Sequence, residues 1–129
     1  MDPIVHFEMP AGDKKRMMDF YGKTFDWKFQ VMGPEMGDYV LVTTTETDDK
    51  GMIKNPGAIN GGFFQKSETS NWNARLAVSV KDINASMKKV EEAGGKVIDH
   101  PVEIPGVGMY VQIVDTEGNQ MSLLQPKPM

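Results

Sequence analysis

The sequence contains no cysteine, and only two of its 129 residues are histidine. The absence of cysteine excludes disulfide bonds, thiolate metal sites and a thiol nucleophile. No apolar run approaches the roughly 20 residues that a membrane-spanning helix needs. The first residues, Met1–His6, lack the basic and apolar regions of a signal peptide. We therefore expect a cytoplasmic protein that does not bind membranes.

The sequence also lacks a concentration of positive charge. It has 14 lysines and arginines against 18 acidic residues, for a net charge of −4, and the lysines are scattered. Nucleic-acid binding requires a basic patch or stripe, so we expect no nucleic-acid partner. A chain of 129 residues suits one domain, or two small repeats that share a core.

In the first half of the chain, an alternation of apolar and polar residues is followed by the pattern of an amphipathic helix. Residues 3–9 place apolar side chains on one strand face and His6 and Glu8 on the other. Residues 10–12 are expected to end this strand, and Asp13 is suited to cap a helix over 14–25. The expected apolar stripe of that helix is Met17, Phe20, Tyr21 and Phe25. Three more strands are predicted, over 27–31, 38–45 and 57–65.

The second half follows the same order after a polar linker over 66–73. A strand over 75–80 precedes an N-cap at Asp82 and a helix that ends at Gly94–Gly95. Strands are predicted over 96–98 and 109–114, with a Pro- and Gly-rich loop over 100–108. The sequence D-T-E-G-N over 115–119 predicts a tight turn. It leads into a last strand that places Gln120, Ser122 and Leu124 on one face.

The two halves align on their helix caps, because Asp13 and Asp82 stand 69 positions apart. The same offset places His6 over Arg75. One half alone could not bury both faces of a four-stranded sheet, whereas two halves can. The predicted fold is therefore α+β, with two βαβββ modules in tandem. Module one covers 1–66, module two covers 72–129, and together they form a single domain over 1–129.

Several segments in this order resemble the vicinal oxygen chelate superfamily. They are V-H-F-E-M-P-A-G-D and F-Y-G-K-T-F-D-W-K-F in the first half, and V-S-V-K-D-I-N-A-S-M-K-K-V-E-E-A-G-G-K-V, I-P-G-V-G and V-D-T-E-G-N-Q-M-S-L-L-Q in the second. This superfamily includes glyoxalase I, bleomycin-resistance proteins, fosfomycin-resistance enzymes and extradiol dioxygenases. The resemblance covers nearly the whole chain. It implies a mixed sheet that curls into a concave cup around a ligand or metal, and a homodimer.

The resemblance also implies four metal-ligand positions, on the first and last strand of each half. Here these positions hold His6, Arg75, Ser122 and the segment Gly61–Phe63. Arginine does not ligate metals, and a catalytic divalent site needs about three protein ligands. His6 alone fits such a role, so we expect no cofactor. A divalent metal held by a different set, such as His6, Glu8 and Gln65, is the alternative.

Six residues are candidates for contacting a small molecule: His6, Glu8, Arg75, Tyr110, Gln112 and Ser122. The planar fork of Arg75 suits an anion, and Glu8 could pair with His6 or with Arg75. The first functional hypothesis is a metal-free binding protein for an anionic or aromatic small molecule, like the bleomycin-resistance proteins. The others are a metal-dependent lyase or dioxygenase, and a non-catalytic interaction or regulatory domain. Enzyme status stays open, because a fold does not fix a function.

Overall fold

The computed structural model describes residues 1–67 and 73–128. The chain forms two compact units. The N-terminal unit is His6–Ala74, and the C-terminal unit is Met1–Val5 together with Arg75–Met129. The first residues group with the second half, as shown by the Pro3 carbonyl, which accepts a hydrogen bond of 2.9 Å from Ser79 N. No helix in the described ranges is long and apolar enough to span a membrane.

The N-terminal unit has the predicted order of strand, helix and three strands. Its elements are β1 (Ile4–Ala11), α1 (Lys14–Phe25), β2 (Lys28–Val31), β3 (Val40–Thr43) and β4 (Asn60–Gln65), with a short 3-10 helix at Pro34–Met36. Within this unit the strands lie in the order β2-β3-β4-β1. The β1–β4 pair is parallel, and the other two pairs are antiparallel.

The C-terminal unit repeats this plan. Its elements are β5 (Arg75–Ser79), α2 (Ile83–Glu92), β6 (Lys96–Ile104), β7 (Gly108–Val114) and β8 (Gln120–Pro126). The strands lie in the order β5-β8-β7-β6. Again the pair that includes the first strand is parallel, and the others are antiparallel. The predicted α+β class with two βαβββ modules is therefore confirmed.

Both predicted helix caps are present. The Asp13 carboxylate accepts a hydrogen bond of 3.0 Å from Arg16 N. The Asp82 carboxylate accepts from Asn84 N and Ala85 N, each at 3.1 Å. These contacts satisfy amide groups that the first turn of a helix leaves without an intrahelical partner. They explain why each helix begins one residue after its aspartate.

Each helix buries one face against the strands of its own unit. In the N-terminal unit the buried residues are Ala11, Val40, Val42 and Phe63, and Met17, Met18 and Tyr21 of α1 pack against them. In the C-terminal unit they are Val80, Ile83, Val111, Ile113 and Leu123, and Met87 and Val90 of α2 pack there. The predicted stripe of α1 is wrong in part. Phe20 and Phe25 are 58% and 57% exposed, because Met18 shares the buried face with Met17 and Tyr21.

Two strands run through prolines that were expected to end them. β1 continues to Ala11, and Pro10 pairs with Phe64, because the fixed φ of proline is compatible with extended backbone. β6 extends to Ile104 through most of the predicted loop over 100–108. It does so with a register shift between Ile98 and Val102, and Asp99 there has a φ of 65°. This bulge absorbs the extra residues and lets pairing resume.

The predicted turn before the last strand is present. Asp115 N donates to Asn119 O at 2.9 Å. The Asp115 carboxylate accepts from Glu117 N, Asn119 N and Asn119 Nδ2, each at 2.9 Å. Hydrogen bonds from Asn119 and from the Glu117 amide hold the pKa of Asp115 below its usual value. The turn thereby fixes the register of β8 against β7.

Candidate functional site

Each unit has a strand face turned away from its own helix, which we call its distal face. Phe7 and Met9 pack towards α1, so strand alternation places His6 and Glu8 on the distal face of the N-terminal unit. Met109, Val111 and Leu123 pack towards α2. Alternation places four candidates on the distal face of the C-terminal unit: Arg75, Tyr110, Gln112 and Ser122.

On the distal face of the N-terminal unit, a tyrosine lies over a glycine. Gly62 pairs with Glu8 on one side and with Leu41 on the other. A Cβ at Gly62 would overlap the ring of Tyr39. The Tyr39 hydroxyl lies 3.1 Å from His6 Nε2 in a hydrogen bond. Glycine at this position therefore gives Tyr39 the room to reach His6.

The neighbouring Gly61 has a separate reason to be glycine. A Cβ there would overlap the ring and the backbone oxygen of Phe7, which lies on the helix side of β1. Glycines within a strand are typical of a bulge or of a close approach of other groups. Here the approaching groups include two aromatic rings of the chain itself, one on each face of β4.

The burial of His6 favours its uncharged form. Burial lowers the pKa of His6 from 6.5, and the charge of Glu8 opposes this shift by a smaller amount. Glu8 lies two residues further along the same strand face and is 6% exposed. The imidazole is therefore uncharged at pH 7 and offers one donor and one acceptor nitrogen.

On the distal face of the C-terminal unit, a second tyrosine meets a serine. The Tyr110 hydroxyl lies 2.7 Å from Ser122 Oγ. Ser122 is fully buried and pairs with Ala77 of β5 and Gln112 of β7. The structure thus brings the candidates Tyr110, Gln112 and Ser122 together, and Arg75 lies two residues before Ala77 on the same strand face.

Three of the six candidate ligand-contacting residues are buried. Among the described residues, the polar side chains classed as buried are Glu8 and Arg75, each 6% exposed, and Ser122 at 0%. Burying a polar or charged group has a large desolvation cost unless hydrogen bonds or charges compensate for it. Their burial on the distal faces favours a functional or organising role over that of solvated surface residues.

The strand registers show that the two tyrosines occupy equivalent positions. Glu8 pairs with Gly62, and Ala77, which stands 69 positions after Glu8, pairs with Ser122. Gly62 and Ser122 are therefore equivalent. Leu41 pairs with Gly62 and Gln112 with Ser122, and each of these residues follows a tyrosine by two positions. Tyr39 and Tyr110 thus reach towards the same strand position in the two units.

Comparison with known proteins identifies the family of this chain. The family model for the Glyoxalase/Bleomycin resistance protein/Dioxygenase superfamily matches residues 3–123. The chain belongs to this superfamily. The resemblance drawn from the sequence motifs is therefore confirmed.

Two curated relatives carry glyoxylase names. A glyoxylase-like domain-containing protein from Didymella fabae is 31% identical over 120 residues, which cover 90% of this chain and 88% of that protein. A putative glyoxylase, CFP32, from Mycobacterium bovis is 37% identical over 59 residues, but these cover 46% of this chain and 22% of that protein. The first relative supports superfamily membership across nearly the whole chain.

Solved structures share the fold at low sequence identity. A hypothetical protein, BH1468, from Bacillus halodurans aligns with a TM-score of 0.70 and 16% identity over 99% of this chain and 96% of that chain. Methylmalonyl-CoA epimerase from Mycobacterium tuberculosis aligns with a TM-score of 0.68 and 15% identity over 97% and 88%. These likenesses show that the superfamily fold is present.

The superfamily implies a divalent metal in many members, and the residues here do not fit one. In the part of the chain that the structure describes, no three His, Cys, Asp or Glu residues are grouped to hold a metal ion. His6 Nε2 is engaged with Tyr39, Gly62 has no side chain, and Arg75 is a cation. The set of His6, Glu8 and Gln65 is not assembled. Gln65 donates to the Gly12 carbonyl at 3.1 Å and pairs with Ala11, five positions beyond His6.

Sequence reasoning missed Tyr39. The residue falls at the start of a predicted strand, and the constant offset of 69 positions aligns Tyr110 with Leu41. Strand register instead aligns Tyr110 with Tyr39, at an offset of 71. A search for like residues near the aligned position, tolerant of loop differences, would have found the pair.

Proposed function

We propose that this chain is a metal-free small-molecule-binding member of the superfamily. One observation carries the proposal. In both units, the last-strand position at which the family resemblance leads us to expect a metal ligand holds a small residue, Gly62 or Ser122. In both units a tyrosine reaches that position. Hydrogen-bonding hydroxyls therefore stand where acidic ligands would otherwise be required.

The chemistry of these groups favours recognition of an organic molecule. A phenol has a pKa near 10 and stays neutral at pH 7, so it both donates and accepts hydrogen bonds. Tyr39 with His6, and Tyr110 with Ser122, each combine such a phenol with a second polar group. Aromatic rings also provide apolar contact area at a small cost in conformational entropy.

A second candidate function is proton transfer at His6. A neutral imidazole can act as a general base, and burial lowers the pKa of His6 so that it is neutral at pH 7. Its hydrogen bond to the Tyr39 hydroxyl could orient the ring. The two candidates differ in outcome, because a binding protein returns its ligand unchanged and an enzyme converts it. Mass spectrometry of the recovered compound distinguishes them.

Elemental analysis and thermal melts test the main proposal. Protein refolded with Zn²⁺, Ni²⁺, Mn²⁺ or Mg²⁺ and then dialysed is expected to retain well below one equivalent of metal. Its melting temperature should be insensitive to chelator. A small molecule that binds the native state should stabilise it by about 2.7 kcal/mol at a hundredfold excess over Kd. Near-stoichiometric metal with a stabilisation that His6→Ala abolishes would overturn the proposal.

We also infer that the protein is a cytoplasmic homodimer. The outer strands, β2 in the N-terminal unit and β6 in the C-terminal unit, have one paired neighbour within their own unit. Exposed strand edges are ready sites for association. Sedimentation equilibrium is expected to give twice the monomer mass at micromolar concentration, and a monomer at these concentrations would contradict the inference.

A further inference from the structure

The helix side of the N-terminal unit contains a cavity that the candidate functional site does not use. Its volume is about 450 Å³, and small-molecule sites have volumes of roughly 300–1,000 Å³. Phe7 and Met9 alternate along β1 with His6 and Glu8, so the cavity lies on the opposite face of this strand from those two candidates. The lining residues all belong to the N-terminal unit: Phe7, Met9, Trp27, Thr44, Ile59 and Ala74.

Aromatic rings form one wall of the cavity, and one of them is fixed by a neighbour. The ring centroids of Phe7 and Trp27 lie 5.9 Å apart, with the ring planes tilted by 42°. The indole of Trp27 stacks on Tyr21 of α1 at 4.7 Å and 5°, which fixes its orientation. A preorganised aromatic surface can contact a flat ring with little loss of side-chain entropy. The thioether of Met9 adds a polarisable contact for such a ring.

The lining is poor in polar groups. None of its residues is charged, and only Thr44 and Trp27 carry a nitrogen or oxygen atom in the side chain. The Thr44 hydroxyl already donates to the Ile59 carbonyl at 2.7 Å, and the Trp27 ring has a single N–H donor. Moving a charged group from water into such surroundings has a large desolvation cost that no opposite charge would offset. The lining therefore favours an uncharged ligand.

The apolar lining is only partly covered by the described chain. Phe7, Met9, Trp27 and Ile59 are half-buried, and Ala74 at the rim is exposed. Contact with an apolar ligand would remove more of this surface from water, which is favourable. A stable protein interface involves roughly 20–30 residues on each side, whereas six residues line this cavity. Its size therefore suits a small molecule rather than a protein surface.

We propose that this cavity binds a small, uncharged aromatic molecule, with a ring system about the size of indole, against Phe7 and Trp27. The proposal is independent of the function proposed for the distal faces, because the cavity uses the helix side of β1. The two rings and the thioether supply the contact area. The absence of charge in the lining selects against ionised molecules of the same shape.

Titration calorimetry of the full chain with indole, indole-3-acetate and cyclohexanol tests the proposal. Indole should bind saturably at a ratio of about one per chain. Indole-3-acetate adds a carboxylate to the same ring system and should bind at least about tenfold more weakly, because nothing in the cavity offsets its charge. Cyclohexanol is uncharged but not aromatic, and it should bind severalfold more weakly because it cannot stack on the rings.

A substitution at the rim blocks the cavity without touching the core. Ala74→Trp adds a large side chain at an exposed position and should weaken indole binding at least about tenfold, with cooperative unfolding at a similar Tm. Ala85→Trp is the matched control, because it makes the same change at an exposed position of α2 in the C-terminal unit. It should leave indole affinity unchanged. Trp27→Leu removes one ring and should also weaken binding about tenfold. If Trp27→Leu does not fold, Ala74→Trp decides the question.

The position of the bound ligand is read by NMR. Nuclear Overhauser contacts are expected between indole and the methyl groups of Met9 and Ile59. Absence of saturable indole binding, or indole-3-acetate binding as tight as indole, would overturn the proposal. A loss of indole affinity in Tyr110→Phe would place indole on a distal face and would overturn it as well. If saturating indole converts a dimer into a monomer in sedimentation, a second copy of the chain occupies the cavity, and the small-molecule assignment fails.

Discussion

The contact between Gly62 and Tyr39 can be tested by adding one methyl group. In Gly62→Ala the new Cβ would overlap the outer ring atoms and hydroxyl of Tyr39. Both neighbouring strands pair with Gly62, so the backbone has little room to move, and the tyrosine has to turn aside. We expect this displacement to break the hydrogen bond of 3.1 Å between the Tyr39 hydroxyl and His6 Nε2.

The expected cost follows from these two losses. A hydrogen bond contributes about 1 kcal/mol net, and overpacking in a well-packed region costs about 1–3 kcal/mol. The ring is at the end of a side chain and can rotate, so the lower part of that range applies. We expect Gly62→Ala to lower the free energy of unfolding by about 2–3 kcal/mol. This corresponds to a fall in Tm of about 7–11 °C for a chain of this size.

A double-mutant cycle identifies Tyr39 as the source of the cost. Urea unfolding is measured for Gly62→Ala, for Tyr39→Ala and for the double variant. Once Tyr39 is shortened, the methyl group at position 62 has room, so the coupling energy should reach about 1 kcal/mol or more. Gly61→Ala is the control, because its Cβ meets the Phe7 backbone oxygen and ring. Its cost should be the same in both backgrounds.

Either of two results would refute the proposed packing of Tyr39. If Gly62→Ala destabilises the chain equally with and without Tyr39, the ring does not occupy the space above Gly62. The same conclusion follows if Gly62→Ala has no effect on stability and the NMR-measured pKa of His6 does not change. Either result would also remove the equivalence of the two tyrosines as support for the metal-free proposal.

Three further predictions concern His6, Tyr110 and the helix caps. Burial lowers the pKa of His6, so the unfolded chain takes up the proton first. The contribution of His6 to stability should be complete above about pH 6.5 and decrease as the pH falls below that value, and melts of His6→Gln should lack this part of the pH dependence. Tyr110→Phe should reduce the free energy of unfolding by about 1 kcal/mol in urea titrations, whereas no loss would question its bond to Ser122. Asp82→Ala, and by comparison Asp13→Ala, should each cost about 1 kcal/mol, read as a shift in the urea midpoint at unchanged slope.

Local signals in the sequence were sufficient for most of the fold. Both helix starts were predicted correctly, because an aspartate N-cap acts through amides two or three residues away. The turn at 115–119 was predicted for the same reason, since Asp115 bonds residues within four positions. The repeat then followed from the distance between the two caps. Interactions between residues so close in sequence can be predicted without knowing the tertiary structure.

Features that depend on pairing between strands distant in sequence were harder to predict. Prolines suggested a loop over 100–108, but pairing with β7 keeps most of that segment extended, and a bulge accommodates the rest. Phe20 and Phe25 were assigned to the buried face of α1 by spacing alone, whereas the shape of the strand surface selected Met18 instead. Packing among many residues, rather than local preference, decides such positions.

The candidate site was also predicted only in part, because some of its members depend on pairing between distant strands. Of its members on the C-terminal unit, Tyr110 and Gln112 were predicted from strand alternation, and Arg75 and Ser122 from the repeat and the family resemblance. Tyr110 does contact Ser122. Tyr39 was missed because the repeat does not keep one offset. The first half has 16 residues between β3 and β4, against five between β7 and β8. The offset therefore changes from 71 at the tyrosines to 60 at Gly62 and Ser122, and only the strand pairing shows the equivalence.

The equivalence of Tyr39 and Tyr110 also bears on why the expected metal-ligand positions hold no acidic residue. A single small residue at one such position could reflect the loss of one side chain, with no replacement. Here both units have a small residue at the position and a tyrosine two residues from its cross-strand partner. A carboxylate only accepts hydrogen bonds and attracts cations, whereas a phenol at pH 7 is neutral and can donate. The presence of the small residue and the tyrosine in both units therefore supports the proposal that the ligand is a molecule rich in hydrogen-bond acceptors rather than a metal ion.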